Sequence, residues 1–179
     1  MMLPSALLFL LAAGVVSPRL VDATDPSEPR RWQAVHDTVM GGLSQGGLAQ
    51  EGDRLVFSGH LSLANNGGFA SVRTLPRPFP LADHHGILLR VRGDGRTYQL
   101  RLRDDDRFDG PAWRFAFSTT DGEWVQIAAP FSQFEQVFRG RRLGGGGALD
   151  PSRVRQLGLM VADKQAGPFR LEIETVTAY

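Results

Sequence analysis

An all-β sandwich is the fold class that this sequence predicts, and three observations predict it. Glycine and proline, 21 and 11 residues, recur along the chain and break it into short runs. Within those runs apolar and polar residues alternate with the period of two that marks a half-buried strand. A length of 179 residues suits one domain with a sizeable core and leaves no room for a second.

The alternation predicts strands over Arg54–Leu63, Phe69–Thr74, Ile87–Arg92, Tyr98–Arg103, Trp113–Ser118, Trp124–Ile127, Arg155–Val161 and Phe169–Val176. Short links between so many strands favour a sandwich. Glu51-Gly52-Asp53 and Gly93-Asp94-Gly95 supply residues that tolerate positive φ, so both are expected to close antiparallel hairpins. Alternation sends Ile87, Leu89, Val91, Tyr98, Leu100, Leu102, Trp113, Phe115 and Phe117 into one core. Arg90, Arg92, Gln99, Arg101, Arg103 and Arg114 then face outward, and adjacent strands would gather them into an arginine-rich surface. A solvated strand face is the plainer account of that surface, and an anion site the sharper one. Helix is expected only as short pieces, around Phe131–Phe138 and at Pro151–Arg153, where Pro151 follows the capping residue Asp150. The Gly144–Gly147 run reads as a flexible loop, since the Lys-Ser/Thr of a phosphate cradle does not follow it.

At the N-terminus, Leu3–Val16 is an almost unbroken apolar run, and Val21-Asp22-Ala23 follows at the spacing of a cleavage site. The run is too short to span a bilayer as a mature helix. Residues 1–23 are therefore expected to be a signal peptide, 24–31 a linker, and 32–179 the domain of an exported protein, periplasmic or extracellular after cleavage.

Composition narrows the chemistry. A formal net charge of +1 gives no global field to hold nucleic acid by counterion release. The absence of cysteine removes disulfides, thiol nucleophiles and zinc–thiolate centres. Gly42-Leu43-Ser44-Gln45-Gly46 matches the Gly-x-Ser-x-Gly string of hydrolases, but that motif needs a strand before the serine and a helix after it, and a glycine-rich, strand-like run follows here. Asp104-Asp105-Asp106 with Asp109 fails the spacing of a calcium loop and reads as a hydrophilic connection. Adjacent His84 and His85 cannot aim at one metal from a regular strand. No catalytic residue, metal ligand or cofactor site is assigned.

Two glycine-bearing segments stand apart: Val35–Ser44 (VHDTVMGGLS) and Asn65–Arg73 (NNGGFASVR). Paired glycines permit sharp turns and close approach, while Asp, Asn and Ser hydrogen-bond backbone amides or a ligand. The two loops either lock each other or form a binding site. Together with Leu157–Tyr179 (LGLMVADKQAGPFRLEIETVTAY), these strings resemble, in order and spacing, the complex I intermediate-associated protein 30 family, over almost the whole of Trp32–Tyr179. His36 departs from an Asn common in that family.

The resemblance implies a galactose-binding-like β-jelly-roll, and a non-enzymatic, chaperone-like assembly factor associating with intermediates of NADH:ubiquinone oxidoreductase. Matched to the family pattern, Asp37, Met40, Gly41, Gly42, Ser44, Asn66, Gly67, Gly68, Phe69, Ser71, Arg73, Asp163 and Lys164 become the expected partner-binding residues. A protein partner, such as a respiratory-complex intermediate, follows from this, with peripheral membrane association compatible with it. A carbohydrate-binding module is the alternative, with Trp113, Trp124 or Tyr98 stacking on a sugar, although alternation turns Trp113 and Tyr98 inward.

Overall fold

The computed structural model describes residues 17–145 and 147–179; the apolar run Leu3–Val16 of the expected leader, residues 1–23, lies outside them. Two antiparallel sheets pack face to face. In chain order the strands are β1 (Arg19–Val21), β2 (Trp32–Ala34), β3 (Gln45–Glu51), β4 (Arg54–Leu61), β5 (Ala70–Thr74), β6 (Gly86–Arg92) and β7 (Thr97–Arg103). They continue as β8 (Ala112–Ser118), β9 (Trp124–Pro130), β10 (Glu135–Phe138), β11 (Arg141–Arg142), β12 (Gln156–Val161) and β13 (Gly167–Ala178). The first sheet runs β3-β4-β13-β6-β9, with β1 beside β13; the second runs β11-β10-β8-β7-β12-β5-β2.

The core is made by the predicted alternation. Ile87, Leu89 and Val91 from the first sheet meet Tyr98, Leu100 and Leu102 from the second, all at most 2% exposed, with Trp113 and Phe117 alongside. Phe115 is only half-buried, at the edge where it packs on Phe134. Phe57 fills the centre, its ring 4.8 Å from Phe169 and 6.4 Å edge-on to Tyr98.

The Glu51–Arg54 turn is a two-residue hairpin, with Glu51 opposite Arg54 and Gly52 at φ 65°. The expected Gly93–Gly95 hairpin is instead a corner: β6 before it belongs to the first sheet and β7 after it to the second. Three glycine-rich residues suit either geometry, and only the pairing partners separate them. The arginine-rich surface is divided as a result, Arg90 and Arg92 lying on one outer face and Arg101, Arg103 and Arg114 on the other.

Phe131–Phe138 is not one short helix. A 3-10 turn, Phe131–Gln133, leads into β10, which pairs with β8. Pro151–Arg153 is the expected single turn, with Ser152 N–H donating to Asp150 Oδ1 at 3.0 Å.

The ordered fold begins before Trp32. Strand β1 pairs with β13 at Val176 and Thr177, and Leu20, Val21 and Ala23 join the core. Residues 24–31, read as a linker, lie against the domain: Glu28 is 1% exposed and receives Arg31 Nη1 at 2.6 Å and Trp32 Nε1 at 3.1 Å. Too few apolar residues separate Pro26 from Trp32 for periodicity to register, so the burial rests on one carboxylate and its donors.

Candidate functional site

The two glycine segments meet at one carboxylate. Asp37 opens a 3-10 turn, Asp37–Met40, closed by Gly41 in the left-handed region at φ 89°. Its side chain is fully buried. Oδ1 accepts Ser44 N–H at 3.0 Å, while Oδ2 accepts Ser44 Oγ at 2.5 Å, Gly68 N–H at 2.7 Å and Phe69 N–H at 3.3 Å. Burial alone would raise this carboxyl, but the Ser44, Gly68 and Phe69 donors outweigh it and hold it below the usual aspartate value.

Glycine is required around this acid by space. A Cβ on Gly42 would stand 2.3 Å from Asp37 Cγ, and one on Gly67 2.6 Å from Oδ2. Asn65 and Asn66 take left-handed backbone, φ 54° and 59°, which Asn tolerates better than most residues. Asn65 Nδ2 donates to Gly41 O at 3.3 Å and ties the second loop to the first.

Beneath the turn, His36 bridges both segments. Its Nε2 contacts Gly46 O at 2.9 Å and its Nδ1 accepts Ser71 N–H at 3.2 Å, which fixes the proton on Nε2. Ser71 Oγ donates to Val35 O. Ser44, fully buried, also accepts Ser62 N–H at 3.0 Å. The Gly42–Gly46 string thus leads into strand β3, and its serine hydroxyl is spent on a carboxylate inside the protein.

Asp37, Gly42, Ser44, Gly67, Gly68 and Phe69 are therefore brought together as an internal brace, with Ser71 just below. Met40 and Gly41 sit on the outside of the turn and Asn66 on the surface. Arg73, Asp163 and Lys164 lie elsewhere. Arg73 is on the outer face of the second sheet, 6% exposed, with Nη1 donating to Phe108 O at 3.0 Å. Asp163 pairs with Arg96, Nη2 to Oδ1 at 2.6 Å and Nε to Oδ2 at 3.0 Å, while Arg96 Nη1 also reaches Pro168 O at 2.9 Å. This second brace holds the β6–β7 corner to the β12–β13 turn, where Lys164 is left-handed at φ 60°. Burial would raise Asp163, but the Arg96 guanidinium keeps it lowered.

What the braced loop presents outward is apolar. Val39 and Met40 are 62% exposed, Leu43 57% and Leu63 45%. The family pattern singles out Met40 but not Val39, Leu43 or Leu63; for the first loop the available signal is three apolar residues, Val39, Met40 and Leu43, in a segment without strand alternation.

The other motifs are occupied internally. Asp104 accepts Trp113 Nε1 at 3.2 Å, Asp105 pairs with Arg107, Asp106 with Arg155 at 3.0 Å and Asp109 with Arg139 at 2.8 Å. Tyr98 and Trp113 are buried, and the Trp124 ring has the guanidinium groups of Arg54, Arg90 and Arg92 within 5.5 Å of its centroid.

Against known proteins, residues 21–173 match the model of the complex I intermediate-associated protein 30 family. The chain belongs to that family. The mitochondrial complex I intermediate-associated protein 30 of Drosophila melanogaster is 32% identical over 123 residues, 61% of this chain and 42% of that protein. Its namesake in Mus musculus is 32% identical over 97 residues, 52% and 30% of the two chains. An uncharacterised protein of Schizosaccharomyces pombe is 28% identical over 84% of this chain and 81% of its own length. This member of the family thus spans less than half the length of the mitochondrial relatives it matches. Their names overturn the expectation of export and point to mitochondria instead. The jelly-roll is shared with the family 11 carbohydrate-binding module of a Clostridium thermocellum cellulosomal cellulase, at TM-score 0.66, 16% identity and 92% and 95% coverage of the two chains. That likeness establishes the galactose-binding-like fold and nothing about ligands.

Proposed function

We propose that this chain is a non-catalytic protein-binding module that assists assembly of a respiratory complex, and that the Val39–Leu43 loop makes the contact. One observation carries the reading: three apolar side chains, Val39, Met40 and Leu43, are held in water by a turn whose base is fixed through the buried Asp37. An exposed apolar cluster marks an interaction surface, and methionine adapts to partner shape. Bracing the loop beforehand lowers the entropy lost on docking. The names of the relatives support an intermediate of NADH:ubiquinone oxidoreductase as the partner's class, and contact with it would bring the module to a membrane surface. The carbohydrate alternative loses its support from Tyr98 and Trp113, because both rings are inside the core.

The test pairs the full chain with a Val39→Asp, Met40→Asp, Leu43→Asp variant. Each is expressed with an affinity tag in respiring cells, and membrane extracts are resolved on native gels with mass spectrometry of the bands. The wild-type chain is expected to migrate with partly assembled NADH:ubiquinone oxidoreductase, and the variant, melting within about 2 °C of wild type, to migrate free. A wild-type chain found with no subunit of that complex, or a folded variant that still co-migrates, overturns the reading.

A further inference from the structure

The two outer faces of the sandwich treat their arginines differently. On the first sheet each has a carboxylate: Arg54 and Arg92 reach Glu172 at 3.0 and 2.7 Å, Arg90 reaches Glu174 at 2.5 Å, and Arg170 reaches Glu51 at 2.6 Å. On the second sheet Arg114 pairs with Glu135 at 2.8 Å, but among the described residues Arg73, Arg101 and Arg103 form no ion pair. Their bonds go to neutral acceptors. Arg73 donates to Phe108 O, Arg101 to Gln99 Oε1 at 3.1 Å and Met160 Sδ at 3.3 Å, and Arg103 to Gly110 O at 2.8 Å. Asp105 and Asp109, whose charges reach Arg103 and, for Asp109, Arg73, are themselves paired with Arg107 and Arg139.

Strand register places these guanidinium groups around a gap. Across β5, β12 and β7, Arg73, Gly158 and Arg101 stand side by side, and Arg103 follows two residues along β7 on the same face. Gly158 has no side chain where one would stand 3.4 Å from Arg73 Cβ and 3.6 Å from Arg101 Cβ, so the row has a notch between two arginines. Arg73 is 94% buried, and among the described residues its Nε and Nη2 have no hydrogen-bond partner. The Phe108 ring, itself 60% exposed, stands 4.4 Å from the Arg73 guanidinium and walls one side.

We propose that this notch is an oxyanion site, in which Arg73, Arg101 and Arg103 take up the phosphate or carboxylate group of a small molecule above Gly158. Guanidinium groups present forked donors that fit both groups. Buried donors without partners cost stability, and three cations of one sign side by side add to that cost. Burial, then the Arg103 charge, lowers Arg73 to about 10 despite nearby Asp109; burial, then Arg103 and Arg114, lowers Arg101 to about 10. An arriving anion removes both penalties at once, which a merely solvated strand face has no need of.

The experiment measures thermal melting of the full chain against inorganic phosphate and, separately, citrate, each at ionic strength held constant with sodium chloride. A saturable rise of ~5–10 °C at a hundredfold excess over Kd is expected with at least one of them. Phosphate alone assigns the site to phosphorylated ligands, citrate alone to carboxylates. Arg101→Met is expected to melt no lower than wild type in chloride, because it removes a poorly compensated cation, yet to lose the anion response. Gly158→Ala fills the notch and should weaken the response at least tenfold in Kd. Equal melting in chloride, phosphate and citrate overturns the proposal, and so does an Arg101→Met variant that keeps the wild-type response.

Discussion

Replacing Asp37 tests whether one carboxylate holds the two loops. In Asp37→Ala the N–H groups of Ser44, Gly68 and Phe69 lose their acceptor, while Ser44 Oγ can still turn to Ser62 O at 3.2 Å. A buried donor left unsatisfied costs about 1–3 kcal/mol, and water entering the emptied space keeps each near the lower bound. The sum is about 3–5 kcal/mol, among the larger effects of a single substitution. With a urea dependence of about 2 kcal/mol/M the unfolding midpoint should fall by about 1.5–2.5 M. Asp37→Asn separates geometry from charge. With its amide oxygen in the place of Oδ2 it keeps three of the four donors and sets an NH2 against Ser44 N–H, so roughly half the loss is expected. Urea titration followed by tryptophan fluorescence reads both. A midpoint for Asp37→Ala within about 0.5 M of wild type would mean that the loops are held by something other than this acid.

The remaining predictions bear on the same braces. Gly42→Ala forces a methyl onto Asp37 and should cost about 1–3 kcal/mol in the wild-type chain but far less in Asp37→Ala, so a double-mutant cycle should show strong coupling; independent effects would refute the clash. Asp163→Asn leaves the buried Arg96 guanidinium without its anion and should cost about 3–5 kcal/mol, seen as a lowered urea midpoint. Both carboxyls are held below their unfolded values, so their contribution is full above about pH 4 and is lost as pH falls through the folded values; the midpoint should be flat from about pH 7 to 5 and drop below 4, less steeply in Asp37→Asn. A chain begun at Trp32 loses the burial of Leu20 and Val21, about 1.5–3 kcal/mol each, and should melt ~10 °C lower or aggregate; unchanged melting would show β1 to be dispensable.

The sandwich was legible wherever large apolar residues alternate. Strands β4 to β9, β12 and β13 carry that pattern and lie where it placed them, to within a few residues. Strand β3 was not legible, because Gln45-Gly46-Gly47-Leu48 offers one large apolar side chain in four. Its pairing depends on closeness instead: a Cβ on Gly59 would stand 2.1 Å from Gln45 O, so glycine permits the two backbones to approach. Strands β1, β2 and β11 are two or three residues long, below the reach of any periodicity argument. Which sheet a strand joins was likewise hidden, since alternation fixes the face of a residue but not its neighbour, and the arginine surface had to be divided once β6 and β7 were seen in different sheets.

The same distinction governs the site. Asp37, the paired glycines and Ser44 could be singled out because backbone hydrogen bonding and close approach demand particular residue types, and those demands leave a mark in the sequence. They answer to the interior of the protein. The proposed contact surface makes no such demand on its own chain: Val39, Met40 and Leu43 are exposed, and it is that exposure on which the proposal rests. Arg73, Arg101 and Arg103 fall between the two cases. Their strands set where they point, yet among the described residues no acid forms an ion pair with them, and what is left unsatisfied within a stable fold is where an external partner has most to contribute.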